Sequence, residues 1–525
     1  MPDAVVIGAG PNGLVAANVL ADAGWSVAVL EAQPEPGGAV RSRELTRPGF
    51  VHDMFSAFYP LAVASPVMRD LGLEEYGLRW KHAPLVVAHP GGEGERIVLS
   101  RDVDETAASF DDAHPGDGDA WRAMYDEWLA VSDHVVDVLL RPFPPIVPAM
   151  GLALGLRRDL LRFARFSLLP VRRLAEERFG GRAPAMLLAG NALHADLSPE
   201  APLSGFFGWL LCCLGQQHGF PVPEGGAGAL TAALVRRLES RGGVVLCSMP
   251  VTRVVVRDGR AVAVRTAAGA EIPARRAVLA DTGAPSLYLD LVGPEHLPSA
   301  VVDDVRRFQY DNATVKVDWA LHAPIPWKSE PARRAGTLHV AEGIDHLSDV
   351  ATQLATGSVP ARPFLVVGQM SLCDSSRSPA GTETAWAYTH VPQRIRRDPV
   401  GGITGNWDAR ETGGFAERLE EIVEELAPGF RELIVDRHVL TPRSLQAADA
   451  NLVGGAINGG TSQLHQEVVF RPRPSARTAA TPVRGLYLAS ASAHPGGGVH
   501  GACGANAAAA ALRHDRRRRL IRGGA

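Results

Sequence analysis

Apolar and polar residues follow two different periods along this chain, and the points where the period changes outline its elements. Residues 4–7 and 27–30, and 277–281 up to its closing Asp281, are short apolar runs, the pattern of a strand buried on both faces. Residues 14–23 and 231–240 read as helices, stopped by Gly24 and by Arg241-Gly242-Gly243. Trp121, Met124, Trp128, Val131, Val135 and Val138 recur at three- and four-residue steps and predict a longer helix with one apolar face. Residues 251–257 and 261–266 are joined by Asp258-Gly259 as a predicted hairpin. Residues 313–321 alternate, with Thr314, Lys316 and Asp318 on one side, which predicts one face on the core and one toward solvent or a cavity. Strands at 244–247 and 485–490 and an alanine-rich helix over 502–512 complete the outline.

The first run opens into Gly8-Ala9-Gly10-Pro11-Asn12-Gly13, and the second ends at Glu31-Ala32. Strand, glycine turn, helix, strand and acid in this order make a dinucleotide site. Gly8 permits the tight turn, Gly10 lets a phosphate approach the backbone, and Gly13 lets the helix lie close to the strand. The helix start then offers unpaired N–H groups and a partial positive charge to a diphosphate. Glu31 falls 18 residues after Gly13, near the interval of about 20 at which a carboxylate accepts ribose hydroxyls.

Beyond the acid come Gly37-Gly38 and Arg41. The glycine pair brings a second stretch of backbone to the phosphates, and the guanidinium adds a fixed positive charge. This extension resembles the glutathione-reductase-type FAD superfamily, within it the branch of phytoene desaturases and amine oxidases. Those relatives usually place arginine directly after the glycine pair. Ala39 stands there instead, as in the less characterised branch of pyridine nucleotide-disulfide oxidoreductase domain-containing proteins. The resemblance implies FAD, and contact with it by Gly8, Ala9, Gly10, Pro11, Asn12, Gly13, Glu31, Ala32, Gly37, Gly38 and Arg41. It further implies that Val251 reads the adenine through its backbone. The closing segment Ala491-Ser492-Ala493-His494-Pro495-Gly496-Gly497-Gly498-Val499-His500-Gly501 resembles the family's flavin-facing turn, so Ser492, Gly498 and Val499 join the expected contacts. Gly496 to Gly501 also reads GxGxxG, but no strand follows to complete a second nucleotide unit. A helix start at this turn would favour the negative charge of a reduced flavin. His494 and His500 are the titratable groups nearest to it; no residue is assigned a catalytic role.

Composition narrows the partners. Of 525 residues 46% are apolar, 21% are charged and the net charge is −4, which suits a cored protein with no general pull toward nucleic acid. Five cysteines, none in C-x-x-C, argue against a disulfide framework or a redox dithiol. No metal cluster is expected. The run from Ala4 lacks a basic leader, and residues 142–156 are cut by Pro144, Pro145 and Pro148, so neither a signal peptide nor a membrane span is predicted. Two stretches point toward lipid instead. Arg157, Arg158, Arg162, Arg165, Arg172 and Arg173 flank an apolar set around Leu160 to Leu169, and Phe206, Phe207, Trp209, Leu210 and Leu211 cluster further on.

The chain is therefore expected to be α/β, with a Rossmann-like FAD-binding domain of glutathione-reductase type interleaved with a mixed sheet-plus-helix substrate domain. The first would take 1–85, 219–285 and 441–525, the second 86–218 and 286–440. The expected protein is cytoplasmic, with possible peripheral membrane contact. The expected chemistry is hydride removal from an apolar or amphipathic small molecule to flavin, with oxygen or a quinone as acceptor. A redox-neutral FAD isomerase and a non-catalytic FAD-holding protein share the same motifs and remain open here.

Overall fold

The computed structural model describes residues 1–142, 145–156, 159–474 and 479–523, the side chains of 94 and 521–523 excepted. The apolar run β1 (Ala4–Ile7) is buried at every position and feeds α1 (Pro11–Asp22), followed by β2 (Val27–Leu30). The helix begins three residues earlier than the apolar pattern implies. Pro11 needs no hydrogen-bond partner in a first turn and so occupies its first position. The chain then enters a second sheet through β3 (Leu85–Ala88) and β4 (Val98–Leu99). A helical cap follows: α2 (Asp117–Leu140), α3 (Ile146–Leu156), α4 (Leu160–Leu168), α5 (Ala183–Leu193) and α6 (Ser204–His218). On α2, Trp121, Met124, Trp128, Val131 and Val135 form the buried face that their spacing predicts, and Val138, the last of the set, is half-buried.

The chain returns to the first sheet through α7 (Ala227–Ser240) and β5 (Val244–Leu246). The hairpin β6 (Val251–Arg257) and β7 (Arg260–Thr266), extended by β8 (Glu271–Pro273), makes a separate antiparallel sheet before β9 (Ala277–Ala280). Five more strands belong to the second sheet: β10 (Ala313–Leu321), β11 (Ala335–Val340), β12 (Leu365–Gln369), β13 (Glu383–Val391) and β14 (Ile434–Leu440). Helix α8 (Ala409–Leu426) covers one side, and β15 (Leu486–Leu488) with α9 (Ala502–Gly523) closes the chain.

The first sheet is parallel in the order β15-β9-β1-β2-β5, so three distant stretches of sequence build it. The second has the order β14-β10-β13-β12-β11-β3-β4, antiparallel except between β11 and β3. Between them lies a network of buried polar side chains, described below. Two expectations change. All nine residues of β10 are buried, so its Thr314–Lys316–Asp318 side does not face solvent. Of the aromatic set on α6, Phe206, Trp209 and Leu210 are core rather than surface, with Trp209 edge-on to Trp128 and Phe166, while Phe207 and Leu211 are half-buried.

Candidate functional site

At the C-terminal ends of β1, β9 and β15, where ligands of open parallel sheets bind, backbone and side chains are packed so closely that glycine is required. A methyl group on Gly10 would come 2.6 Å from Asp281 Oδ2, and one on Gly13 would come 2.2 Å from the Gly8 carbonyl oxygen. Gly8 has φ +90°, a region open to glycine. The Gly13 amide donates to Asp281 Oδ2 at 2.8 Å, and the Ala9 amide to Glu31 Oε2 at 2.7 Å. Glu31 also accepts from the amide of Gln33, where Ala32 is the intervening turn residue. Each carboxylate oxygen keeps a lone pair for a hydroxyl. Among the described residues, no acceptor is recorded for the amides of Gly10 and Asn12 at the start of α1.

Gly37 and Gly38 come onto this turn. The Gly37 amide donates to the Ala9 carbonyl at 2.8 Å, and a methyl on Gly38 would lie 3.0 Å from Gly10 Cα. Arg41 is buried and clamps the pair, donating to the carbonyls of Gly38 and Ala448 at 2.8 Å with its guanidinium over Phe55. Residues 248–249 hydrogen-bond back to Gln33 and Glu31 through their amides, which brings Val251, at the start of β6, to the same edge.

The closing segment reaches the turn from the other side. Gly504, in the first turn of α9, lies so close to α1 that a methyl group would meet the Asn12 carbonyl at 1.9 Å. Two helix starts thus converge on one point, and both direct positive partial charge there. Val499 packs against the core of the first sheet, and Gly498 has φ +98°. Ser492 is buried and donates to the Gly459 carbonyl at 2.9 Å. His500 Nδ1 accepts from the Ala502 amide at 3.0 Å and so caps α9. His494 Nε2 meets the Arg141 carbonyl at 3.2 Å. Burial pushes both imidazoles down to about 4, so both are neutral near pH 7.

Three buried polar atoms here lack a protein partner among the described residues: Asn12 Oδ1, Thr282 Oγ1 and Asn458 Nδ2. Unpartnered amides, orphaned side-chain polar atoms and a cradle closed to any Cβ fit a diphosphate-bearing ligand. Asp281 and Asp449 escape sequence reasoning, because each reaches the turn from a distant segment. Burial, the charge of Asp449 and the charge of Glu31 push the Asp281 carboxyl up to about 8, against the Gly13 hydrogen bond.

Beside this crevice stands one face of the second sheet. Register pairs Thr314 with His390, Lys316 with Tyr388 and Asp318 with Trp386. Lys316 Nζ donates to the Asp53 carbonyl at 3.0 Å and is ion-paired to Asp318, which also faces His52 at 3.5 Å. Burial pushes the Asp318 carboxyl up, but Lys316 and His52 more than offset it and hold it below its ordinary value. Phe58 and Tyr388 flank the Trp386 ring, each with ring centres 5.9 Å from it. His194 and His339 share a hydrogen bond at 2.9 Å between Nε2 atoms, and His194 Nδ1 lies 3.3 Å from the Tyr388 hydroxyl. Burial lowers His194 and His390 to about 4 and pushes His339 well below its ordinary value, so these rings carry no charge at neutral pH. The loop 454–461 joins this face to the closing segment. Asp311 accepts from the amides of Ile457 and Asn458, and Arg471 donates to the carbonyls of Asn458, Thr461 and Ala491.

The sequence pattern of the flavin containing amine oxidoreductase family matches residues 12–319. The chain belongs to that family. Its members are FAD-containing oxidoreductases, and this chain is one of them: an FAD-dependent enzyme of amine oxidase and desaturase type. Pyridine nucleotide-disulfide oxidoreductase domain-containing protein 2 of Rattus norvegicus is 29% identical, over 96% of this chain and 92% of its own length. Phytoene desaturase (neurosporene-forming) of Rhodobacter capsulatus is 24% identical over 95% and 91%. An oxidoreductase from Methanosarcina mazei shares the fold, with a TM-score of 0.62 and 16% identity over 97% of this chain and 99% of that one. The five cysteines are free thiols, and burial raises all five. Among the described residues no cluster of His, Cys, Asp or Glu is placed to hold a metal ion.

Proposed function

We propose that this enzyme removes a hydride from an apolar or amphipathic small molecule, with oxygen or a quinone as the final acceptor. Bound FAD supplies the hydride acceptor; the rest is the work of the chain. The Gly10 and Asn12 amides and the start of α1 hold the diphosphate, Glu31 holds the ribose, and Val251 borders the adenine end. The start of α9, with Gly498 and Val499, takes the electron-rich end of the ring. Gly37, Gly38 and Arg41 hold the turn closed from outside. Lys316, fixed between the Asp53 carbonyl and Asp318, is placed to hold or move a proton at Nζ.

The observation that carries the substrate class is the face made by Trp386, Tyr388, His390 and Phe58. Its rings are aromatic or neutral imidazole, and its one cation, Lys316, is already matched by Asp318. A charged substrate would lose water there without gaining an opposite charge, whereas an apolar one would not. The name of the desaturase relative, which acts on phytoene, is in keeping with this reading. The test is anaerobic titration of the yellow holoprotein, following the oxidised-flavin band at about 450 nm. Polyenes and terpenoid alkenes should bleach it. Bleaching by primary amines or polyamines with no response to alkenes would overturn the assignment.

A further inference from the structure

Hydride loss from carbon leaves a neighbouring proton to be taken up, and Lys316 is already committed to Asp318 and the Asp53 carbonyl. The face beside it offers another acceptor. Of the nine residues of β13, Tyr388 alone is part-exposed. Register places Tyr388, Val366 of β12 and His339 of β11 in one row across three strands. His194, one residue beyond the end of α5, bridges that row from the cap. Its Nδ1 lies 3.3 Å from the Tyr388 hydroxyl and its Nε2 lies 2.9 Å from His339 Nε2. His339 is fully buried against α5, where a methyl group on Gly190 would come 2.3 Å from its Nδ1. Glycine in that helix is what lets the imidazole seat there.

These hydrogen bonds can run in two directions. If Tyr388 donates to His194 Nδ1, His194 donates through Nε2 to His339 Nε2, and only the Nδ1–H of His339 is left over among the described residues. In the opposite sense the Tyr388 hydrogen has no acceptor among the described residues, and His339 Nδ1 is unpaired as well. The first sense leaves fewer groups unsatisfied and so sets the tautomers. It gives a hydroxyl toward the substrate face, a base behind it and a buried group that orients the base, an arrangement that moves protons.

Burial, aided by His390, holds His194 down at about 4. So weak a base suits this task, because a C–H bond beside a carbon that has lost hydride is strongly acidic, and a neutral ring is ready throughout the neutral range. Four other titratable groups face the row. His89 stands edge-on to His339 at 5.4 Å, and His390 lies 5.6 Å from Tyr388. Lys316 is opposite Tyr388 on β10 and is matched by Asp318. Asp196, two residues past His194, is bonded to Asn312 and Thr461.

We propose that Tyr388, His194 and His339 form the proton-accepting chain of the reaction, a role that rests on the hydride removal proposed above. As one C–H bond pair leaves as hydride to the flavin, the neighbouring atom gives its proton to the Tyr388 oxygen and keeps the electron pair for the new double bond. Tyr388 passes its own proton to His194 Nδ1 and stays neutral, while His339 Nε2 accepts from His194 and positions it. His194 is part-exposed and returns the proton to water.

The test uses the FAD-loaded full chain, mixed anaerobically with whichever compound bleaches it, alkene or amine. Tyr388→Phe should still bind that compound, seen as an unchanged perturbation of the flavin band, yet bleach about a hundredfold more slowly. The wild-type rate should be level through neutral pH and fall only as pH approaches 4. His339→Gln keeps an acceptor for His194 and should retain most of the rate, whereas His339→Leu should lose about tenfold. A further measurement needs no turnover: magnetic resonance of the histidine ring nitrogens in the resting holoprotein, with His194→Gln to assign the signal. His194 should be neutral with its hydrogen on Nε2, and Tyr388→Phe should shift its Nδ1. Three results would overturn the chain and leave the hydride reading intact: Tyr388→Phe bleaching as fast as wild type, a His194 hydrogen on Nδ1, or a rate step near pH 7 that Asp196→Asn removes, since burial and Asp311 push that carboxyl up to about 7. A flavin that no compound bleaches would sink both readings.

Discussion

At the C-terminal end of β9, Asp281 faces the start of α1, and its carboxyl is pushed up to about 8 from an ordinary 3.8 by burial, Asp449 and Glu31. A carboxyl raised in this way stabilises the fold fully while protonated, below about pH 4, and loses that contribution as pH rises through about 8. Asp281→Asn keeps an oxygen for the Gly13 amide and cannot ionise. The variant should therefore gain on wild-type apoprotein as pH rises, by something on the order of 5 kcal/mol between pH 4 and 8. Urea midpoints across that range measure it, and parallel curves for the two proteins would disprove the buried-acid account. A diphosphate at the same helix start would add like charge, so wild-type FAD affinity should weaken above pH 8 while that of Asp281→Asn stays level. Gly8, Gly10, Gly13 and Glu31 were legible because a βαβ unit writes its contacts within some thirty residues. Asp281 was not, since its bond to Gly13 spans 268 positions; nor was Asp449.

Elements read well wherever one period determined one environment. The buried face of α2 and the hairpin at Asp258-Gly259 stand where their patterns put them. Strand β10 shows the limit: alternation tells that two faces differ, but not whether the polar one meets water or another domain. Lys316 and Asp318 are buried there because His52 and Asp53 close over them. The junction of α1 and α9 is a second case. Gly504 looks like one more small residue in an alanine-rich helix, yet its Cα abuts the Asn12 backbone. Gly504→Val should force the helices apart, costing about 3 kcal/mol and weakening FAD uptake. Gly413→Ala supplies the contrast: on α8 nothing lies within 4 Å of the added methyl, so helix propensity alone should raise stability by about 1 kcal/mol. Thermal midpoints and FAD titration of the two variants decide the matter. Equal effects would mean that glycine at 504 serves only flexibility.

For the molecule as a whole, the central question is what joins a five-stranded sheet to a seven-stranded one. Arg377, in the loop between β12 and β13, is fully buried and bonds Asp53 at 3.1 Å, Asp374 at 3.2 Å and the Pro223 carbonyl at 3.3 Å. Asp53 in turn accepts from Ser42 at 2.6 Å and from the Ala227 amide at the start of α7 at 2.7 Å. One guanidinium therefore ties the second sheet to the loop behind the glycine pair and to a helix of the first. Arg377→Met removes it and leaves two buried carboxylates facing each other, which should cost about 3–5 kcal/mol. The exposed pair Arg122–Asp104, screened by solvent, should cost almost nothing on Arg122→Ala. The location of the loss matters more than its size. Gly8 to Gly13 and the α1–α9 junction lie within the first sheet's own layers, so the Arg377→Met protein should still take up FAD and show an ordinary flavin spectrum. Calorimetry should then resolve two transitions in place of one, with only the upper rising when FAD is added. Turnover should fall further than FAD affinity, because the face carrying Lys316 and Trp386 is held against the cradle through Asp53. A variant that loses flavin and unfolds in a single step would mean that the two sheets form one cooperative unit, with Arg377 an ordinary part of its core.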